Sequence, residues 1–141
     1  MCLTIKTKLA ETAKEDIVCY KILVKVNGFK FFCTPFYHFI MEPGKTYKNE
    51  DKPDVFWCKN YGFGDVFGGF FHTYQNPEDA IYEANYLFFR GMSEVSEVVV
   101  IKGIIPKGSN YYLGESLIFN DKCASYASDT LILTDSIVHK K

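Results

Sequence analysis

One histidine of this chain has a setting that suggests chemistry. His72 lies in Gly68-Gly69-Phe70-Phe71-His72-Thr73-Tyr74-Gln75-Asn76-Pro77-Glu78-Asp79-Ala80, where a glycine pair leads into a short aromatic strand and then a helix start. Imidazole titrates near neutrality, so a histidine at such a junction can act as a general base or a ligand. That role needs a partner within hydrogen-bond reach, and the sequence locates none. The plainer reading, a half-buried ring with one nitrogen bonded to backbone, is therefore preferred. His38 sits among Phe36, Tyr37 and Phe39 and reads as structural, and His139 lies in a polar C-terminal tail without a role. Asp65, flanked by Gly62, Gly64, Gly68 and Gly69, is the best-placed carboxylate, although a turn aspartate also accounts for it. Glu78 and Asp79 are explained as first-turn helix charges, and Glu83 falls on the polar face of the same helix.

Cys2, Cys19, Cys33, Cys58 and Cys123 are odd in number and form no Cys-x-x-Cys pair. That argues against a disulfide framework and against a zinc ribbon, and for free thiols buried as small hydrophobes in a reducing compartment. Loss of Met1 would expose Cys2 as an N-terminal nucleophile, but Leu3-Thr4 does not continue like the hydrolases that use one. No metal site is expected. The net charge of -1 lacks the footprint of a nucleic-acid partner. Only Lys59 stands beside the Trp57–Phe71 aromatics, which could otherwise stack a base or sugar. No phosphate-cradling Gly-x-x-x-x-Gly-Lys-Ser/Thr pattern occurs. Without a signal-peptide pattern or a run of about 20 apolar residues, a soluble, cytoplasmic protein is expected.

The elements that must position His72 follow from periodicity. Val18, Tyr20, Ile22, Val24 and Val26 alternate with positions including Lys21 and Lys25, which predicts a strand over 17–26. Asn27-Gly28 predicts a tight hairpin with a return strand over 29–34. Residues 1–14 read as polar and mixed. Residues 40–66 read as a charged surface loop with a short strand at its start and a brief apolar segment at Val55-Phe56-Trp57-Cys58, and Gly62 to Gly69 as a flexible aromatic loop. Asn76 as a cap, Pro77 at the first helical position, and Ala80, Ala84, Leu87 and Phe88 on one face predict a helix over about 77–90, with Arg90 and Gly91 as its stop. Residues 97–105 read as a central strand, 106–110 as a turn, and 111–113, 116–119 and 126–138 as further strand segments. Aromatics make up 17% of the chain, which also favours strands. At 141 residues this is one α+β domain spanning 1–141, a mostly antiparallel sheet with one principal helix.

Four stretches in this order carry a resemblance. They are Val18-Cys19-Tyr20-Lys21, Gly69-Phe70-Phe71-His72-Thr73 running into Ala80 and Ala84, the strand and turn from Val98 to Gly108, and Tyr126-Ala127-Ser128-Asp129-Thr130-Leu131. Their succession resembles the ADP-ribosyltransferases, in which an early strand ends in Arg or His, a Gly-x-x-Thr-like strand feeds an Ala-containing helix, and a later strand carries a catalytic glutamate. The resemblance covers about half the chain. It implies a site for NAD or another nucleotide near Tyr20, Lys21, His72 and Thr73. Lys21 stands where that family has Arg or His, and residues 116–141 contain no glutamate, so a catalytically incomplete relative is implied. The chain also resembles small bacterial and phage proteins, a likeness that carries no mechanism.

These observations point to a non-catalytic ligand- or protein-binding module. Its site would be the junction of the glycine-aromatic segment with the His72 strand, with His72, Asp65, Thr73, Lys21 and Tyr20 as binding residues and no cofactor. The partner would be a small molecule or a protein, with neither nucleic acid nor membrane involved. An NAD-using relative of the ADP-ribosyltransferases is the first alternative. A homodimeric assembly module joined through the aromatic excess is the second.

Overall fold

A computed structural model describes residues 3–35, 39–50, 52–89, 94–118 and 121–141. Among these the chain forms β1 (Leu3–Ile5), β2 (Glu11–Thr12), β3 (Ile17–Val26), β4 (Thr46–Lys48), β5 (Asp54–Cys58), β6 (Phe63–Gly68), β7 (Phe71–Tyr74), α1 (Pro77–Phe89), β8 (Val95–Ile105), β9 (Asn110–Ile118), β10 (Asp121–Ser128) and β11 (Thr130–Lys140). All strands join one antiparallel sheet in the order β4-β11-β8-β3-β7-β10-β9-β1-β6-β5, and β2 pairs with β9 beside this path. The expected α+β class, with a mostly antiparallel sheet and a principal helix, is what the chain forms. No helix among the described residues is long and apolar enough to cross a membrane.

The alternation in β3 sorts its residues to two different cores. Ile22 and Val24 join Val98 and Val100 of β8 against Ala80 and Ala84 of α1, with Tyr20 and Val26 packed on the same cluster. Two alanines on the inner face of the helix let it lie close to the sheet. Cys19 and Leu23 point to the other side, where they meet Val99, Ile101 and Ile105 of β8 and Leu131 and Leu133 of β11. Val98 to Ile101 are all fully buried, as expected of a central strand covered on both faces. The sheet curls around this second core, bringing the rings of Tyr47 on β4 and Phe71 on β7 to 6.5 Å. A third cluster, Leu3, Ile5, Val66, Tyr112 and Ala127, closes the β5–β6 end.

Several expectations are corrected by long-range pairing. The Asn27-Gly28 turn forms, with Phe29 N–H donating to Val26 O. The return strand over 29–34 is reduced to one bridge, Val24↔Cys33, on the edge of β3 opposite β8, and Cys33 bridges onward to Ile40 instead of extending the ladder. The polar-looking start of the chain supplies β1, fully buried at Leu3 and Ile5, between β9 and β6. The Gly62–Gly69 segment is a strand, β6, paired along β5. Gly64 is needed there for close approach, since a Cβ would come within 2.8 Å of the Trp57 ring. Gly69 turns the chain into β7 with φ +83° over the Lys52 backbone. The 126–138 segment is two strands that meet at Asp129. His139 is not in a tail. It lies on β11 opposite Val100 and its Nε2 is 3.1 Å from Asn85 Oδ1 of α1. His38, Cys2, Arg90 and Gly91 lie outside the described residues.

Candidate functional site at the parting of two strands

β3 is fully paired on its β8 side but divided on the other. There β7 pairs with it only at Tyr20↔Tyr74, and the next contact is the Val24↔Cys33 bridge. Among the described residues no strand covers β3 between these points. In the register set by Tyr20↔Tyr74, Ile22 would face His72, but the strands have already diverged. Lys21 fills the gap instead, its Nζ donating to His72 O at 2.7 Å. A side-chain ammonium thus occupies a carbonyl that a ladder N–H would otherwise satisfy.

Alternation places Cys19 and Lys21 of β3 and Phe71 and Thr73 of β7 on the side of the second core. Lys21 lies directly across from Ile101, and Thr73 from Tyr126. The lysine stem therefore runs through apolar surroundings while part of the residue remains open to solvent. Burial pushes its ammonium down from 10.5 to about 8, opposed by the nearby Cys19. Among the described residues no carboxylate approaches Lys21 within ion-pair distance. Burial also pushes the Cys19 thiol up to about 11, with the Thr73 hydroxyl and Lys21 pulling the other way. Cys19 is thus a neutral thiol and no thiolate nucleophile.

Three polar atoms at consecutive residues are buried and make no hydrogen bond: Thr73 Oγ1, His72 Nδ1 and His72 Nε2. The Thr73 hydroxyl lies against the Cys19 thiol and favours its ionised form, but toward the neutral thiol it completes no hydrogen bond. Burial, reinforced by Lys21, holds the His72 imidazole down at about 3. The ring is therefore neutral at physiological pH, with one donor and one acceptor nitrogen to offer. His72 neither faces an open cleft nor satisfies the preferred reading of a nitrogen bonded to backbone.

The structure brings four of the expected site residues together. Lys21, His72 and Thr73 meet at the fork, and Tyr20 is the last residue paired before it opens. Asp65 is elsewhere. It lies on β6, separated from β7 by β10, β9 and β1, where Thr4 Oγ1 donates to its Oδ1 at 3.0 Å. Proximity in sequence to His72 misled, because β6 leaves β7 for the far end of the sheet. Cys19, a buried thiol by the sequence reading, also belongs to the fork. Its spacing two residues before Lys21 is the signal that puts both on one face of a strand.

Compared with models of protein families, with curated proteins and with solved structures, the chain matches none.

Proposed function

We infer that the chain is a small-molecule-binding α+β domain whose site is the β3–β7 fork, with Lys21, His72 and Thr73 as binding groups and Tyr20 at its edge. One observation carries this reading: three unsatisfied buried polar atoms on two adjacent residues, beside a buried ammonium without a counter-charge. Buried polar groups are almost always satisfied, and such a cluster is costly unless something else completes it. On the face shared by Thr73 and Lys21 a ligand with both an acceptor and a donor completes the hydroxyl and the ammonium, while the His72 ring, on the opposite face by alternation, belongs to the fork through its backbone carbonyl. The test is a valine in place of Thr73. Without ligand, Thr73→Val should raise the stability measured by denaturant unfolding by about 1 kcal/mol, since it removes a dissatisfied hydroxyl and keeps the shape. Thermal shifts produced by ligands in the parent protein should shrink in the same variant. A variant less stable than the parent, with ligand shifts intact, would assign Thr73 to structure.

A second reading is a nucleotide-binding relative of the ADP-ribosyltransferases. It is favoured by the side-by-side position of β11, β8, β3, β7 and β10, the strands that hold the four resembling stretches. Its mark would be thermal stabilisation by NAD. No shift at millimolar NAD would leave the general binding reading standing and remove this one.

A further inference from the structure

The fork collects groups that plain reversible binding does not use together. Lys21 is an amine held by a single backbone acceptor, without a carboxylate among the described residues. Thr73 is aligned across from it in the register of β3 and β7, on the same face, with an uncommitted hydroxyl. The walls are apolar: Ile101 opposite Lys21, and Leu23, Phe71 and Tyr126 in the same cluster. A cation in this place has no electrostatic partner to stabilise it, and the surroundings favour its neutral form. A neutral amine among apolar side chains is a nucleophile toward carbonyl carbon.

We propose that Lys21 captures a small aldehyde or ketone as an imine at the β3–β7 fork, with Thr73 donating a hydrogen bond to the carbonyl oxygen. The inference rests on the fork being the binding site. The Lys21 Nζ lone pair attacks the carbonyl carbon and forms a C–N bond. The nitrogen loses a proton and the carbonyl oxygen gains one, giving a carbinolamine. That hydroxyl departs with a further proton as water, and the C=N bond closes. One water is released for each carbonyl bound, nothing is oxidised or reduced, and hydrolysis reverses the capture. The Thr73 hydroxyl holds the oxygen as charge develops on it. Lys21 must exchange its bond to His72 O for the bond to the ligand. A second, charged partner for Lys21 is not required, because the imine carries no obligatory charge.

The experiment uses the full chain with propanal at pH 7.5, trapping the imine with sodium cyanoborohydride and locating propyl-lysine by peptide mass mapping. Glu42 favours the protonated form of the Lys45 ammonium, and Lys122 is an exposed amine paired with Glu115, so Lys21 should be modified on the order of tenfold faster than either. Thr73→Val should slow modification of Lys21 several-fold and leave Lys122 unchanged. Modification spread over the exposed lysines with Lys21 untouched would overturn the proposal. If in that case ligand-induced thermal shifts still depend on Thr73, the fork remains a binding site and only the covalent step is lost. Lys21 modified at equal rates in the parent and in Thr73→Val would overturn the part given to the hydroxyl. Unfolding in denaturant should abolish the selectivity, because the apolar surroundings of Lys21 in the folded chain are its cause.

Discussion

At the scale of single residues, His72 and Lys21 are two groups kept away from their ordinary ionisation by burial. Each has a folded pKa below its unfolded one: about 3 against 6.5 for His72, and about 8 against 10.5 for Lys21. In both windows the unfolded chain binds the proton first, so stability rises with pH across each window. The His72 contribution is complete above about pH 6.5 and is lost as pH falls toward 3. Its limit is roughly 5 kcal/mol by the energy equivalent of the shift. His72→Leu should therefore flatten the acid side of a stability–pH profile measured by urea unfolding at pH 4 and pH 7. An unchanged slope between these points would mean that His72 is solvated in solution. Lys21, His72, Thr73 and Tyr20 were legible as a group from the residues and the resemblance, but their state was not. Whether an imidazole is bonded, solvated or stranded depends on neighbours that no local pattern names.

At the scale of elements, the helix was legible and the short strands were not. Asn76, Pro77 and the acidic first turn mark α1 by local physics alone, and Asn76 Nδ2 reaches Asp79 Oδ2 at 3.5 Å. Its seat on the sheet depends on small side chains: Ala80 and Ala84 have no exposed surface and pack against β3 and β8 residues. Ala84→Leu should cost about 1–3 kcal/mol by overpacking, read as a lower midpoint in thermal or denaturant unfolding. A neutral result would mean that the helix rides higher on the sheet than the packed alanines imply. By contrast, β1, β5 and β6 have little identity apart from one another. Trp57↔Gly64 belongs to a local hairpin, but Leu3↔Val66 pairs residues far apart in sequence, and the glycine-rich run becomes a strand held between β5 and β1.

For the whole molecule, the sheet curls so that strands distant in order share one core, and the end of the chain is tied into it. Lys141 and Val98 exchange two backbone hydrogen bonds, Lys141 N–H to Val98 O at 2.8 Å and Val98 N–H to Lys141 O at 3.0 Å. One step inward, His139 meets Asn85, joining β11 to the helix across β8. His139→Ala and Asn85→Ala should each cost about 1 kcal/mol, and the double variant should cost less than their sum. Strict additivity would show that the two side chains do not interact in solution. The same curl sets where the site can be. β3 is covered by the helix on one face and by the second core on the other, and the fork opens along its β7 edge.

The sequence by itself determined the helix with its cap, the period-two strand at 17–26, the valine-rich central strand and hence the α+β class. Each of these is encoded by neighbours within a few residues. Only the tertiary structure decided that Asn27-Gly28 does not lead into a full return strand, that Asp65 belongs to the far end of the sheet, and that Lys21 stands in for a missing ladder bond at His72. The reason is physical. Sheet pairing is a contest among distant segments for the same edge, won by the pairing that buries the most apolar surface, and what the losing pairings leave unsatisfied becomes visible only when the winner is in place.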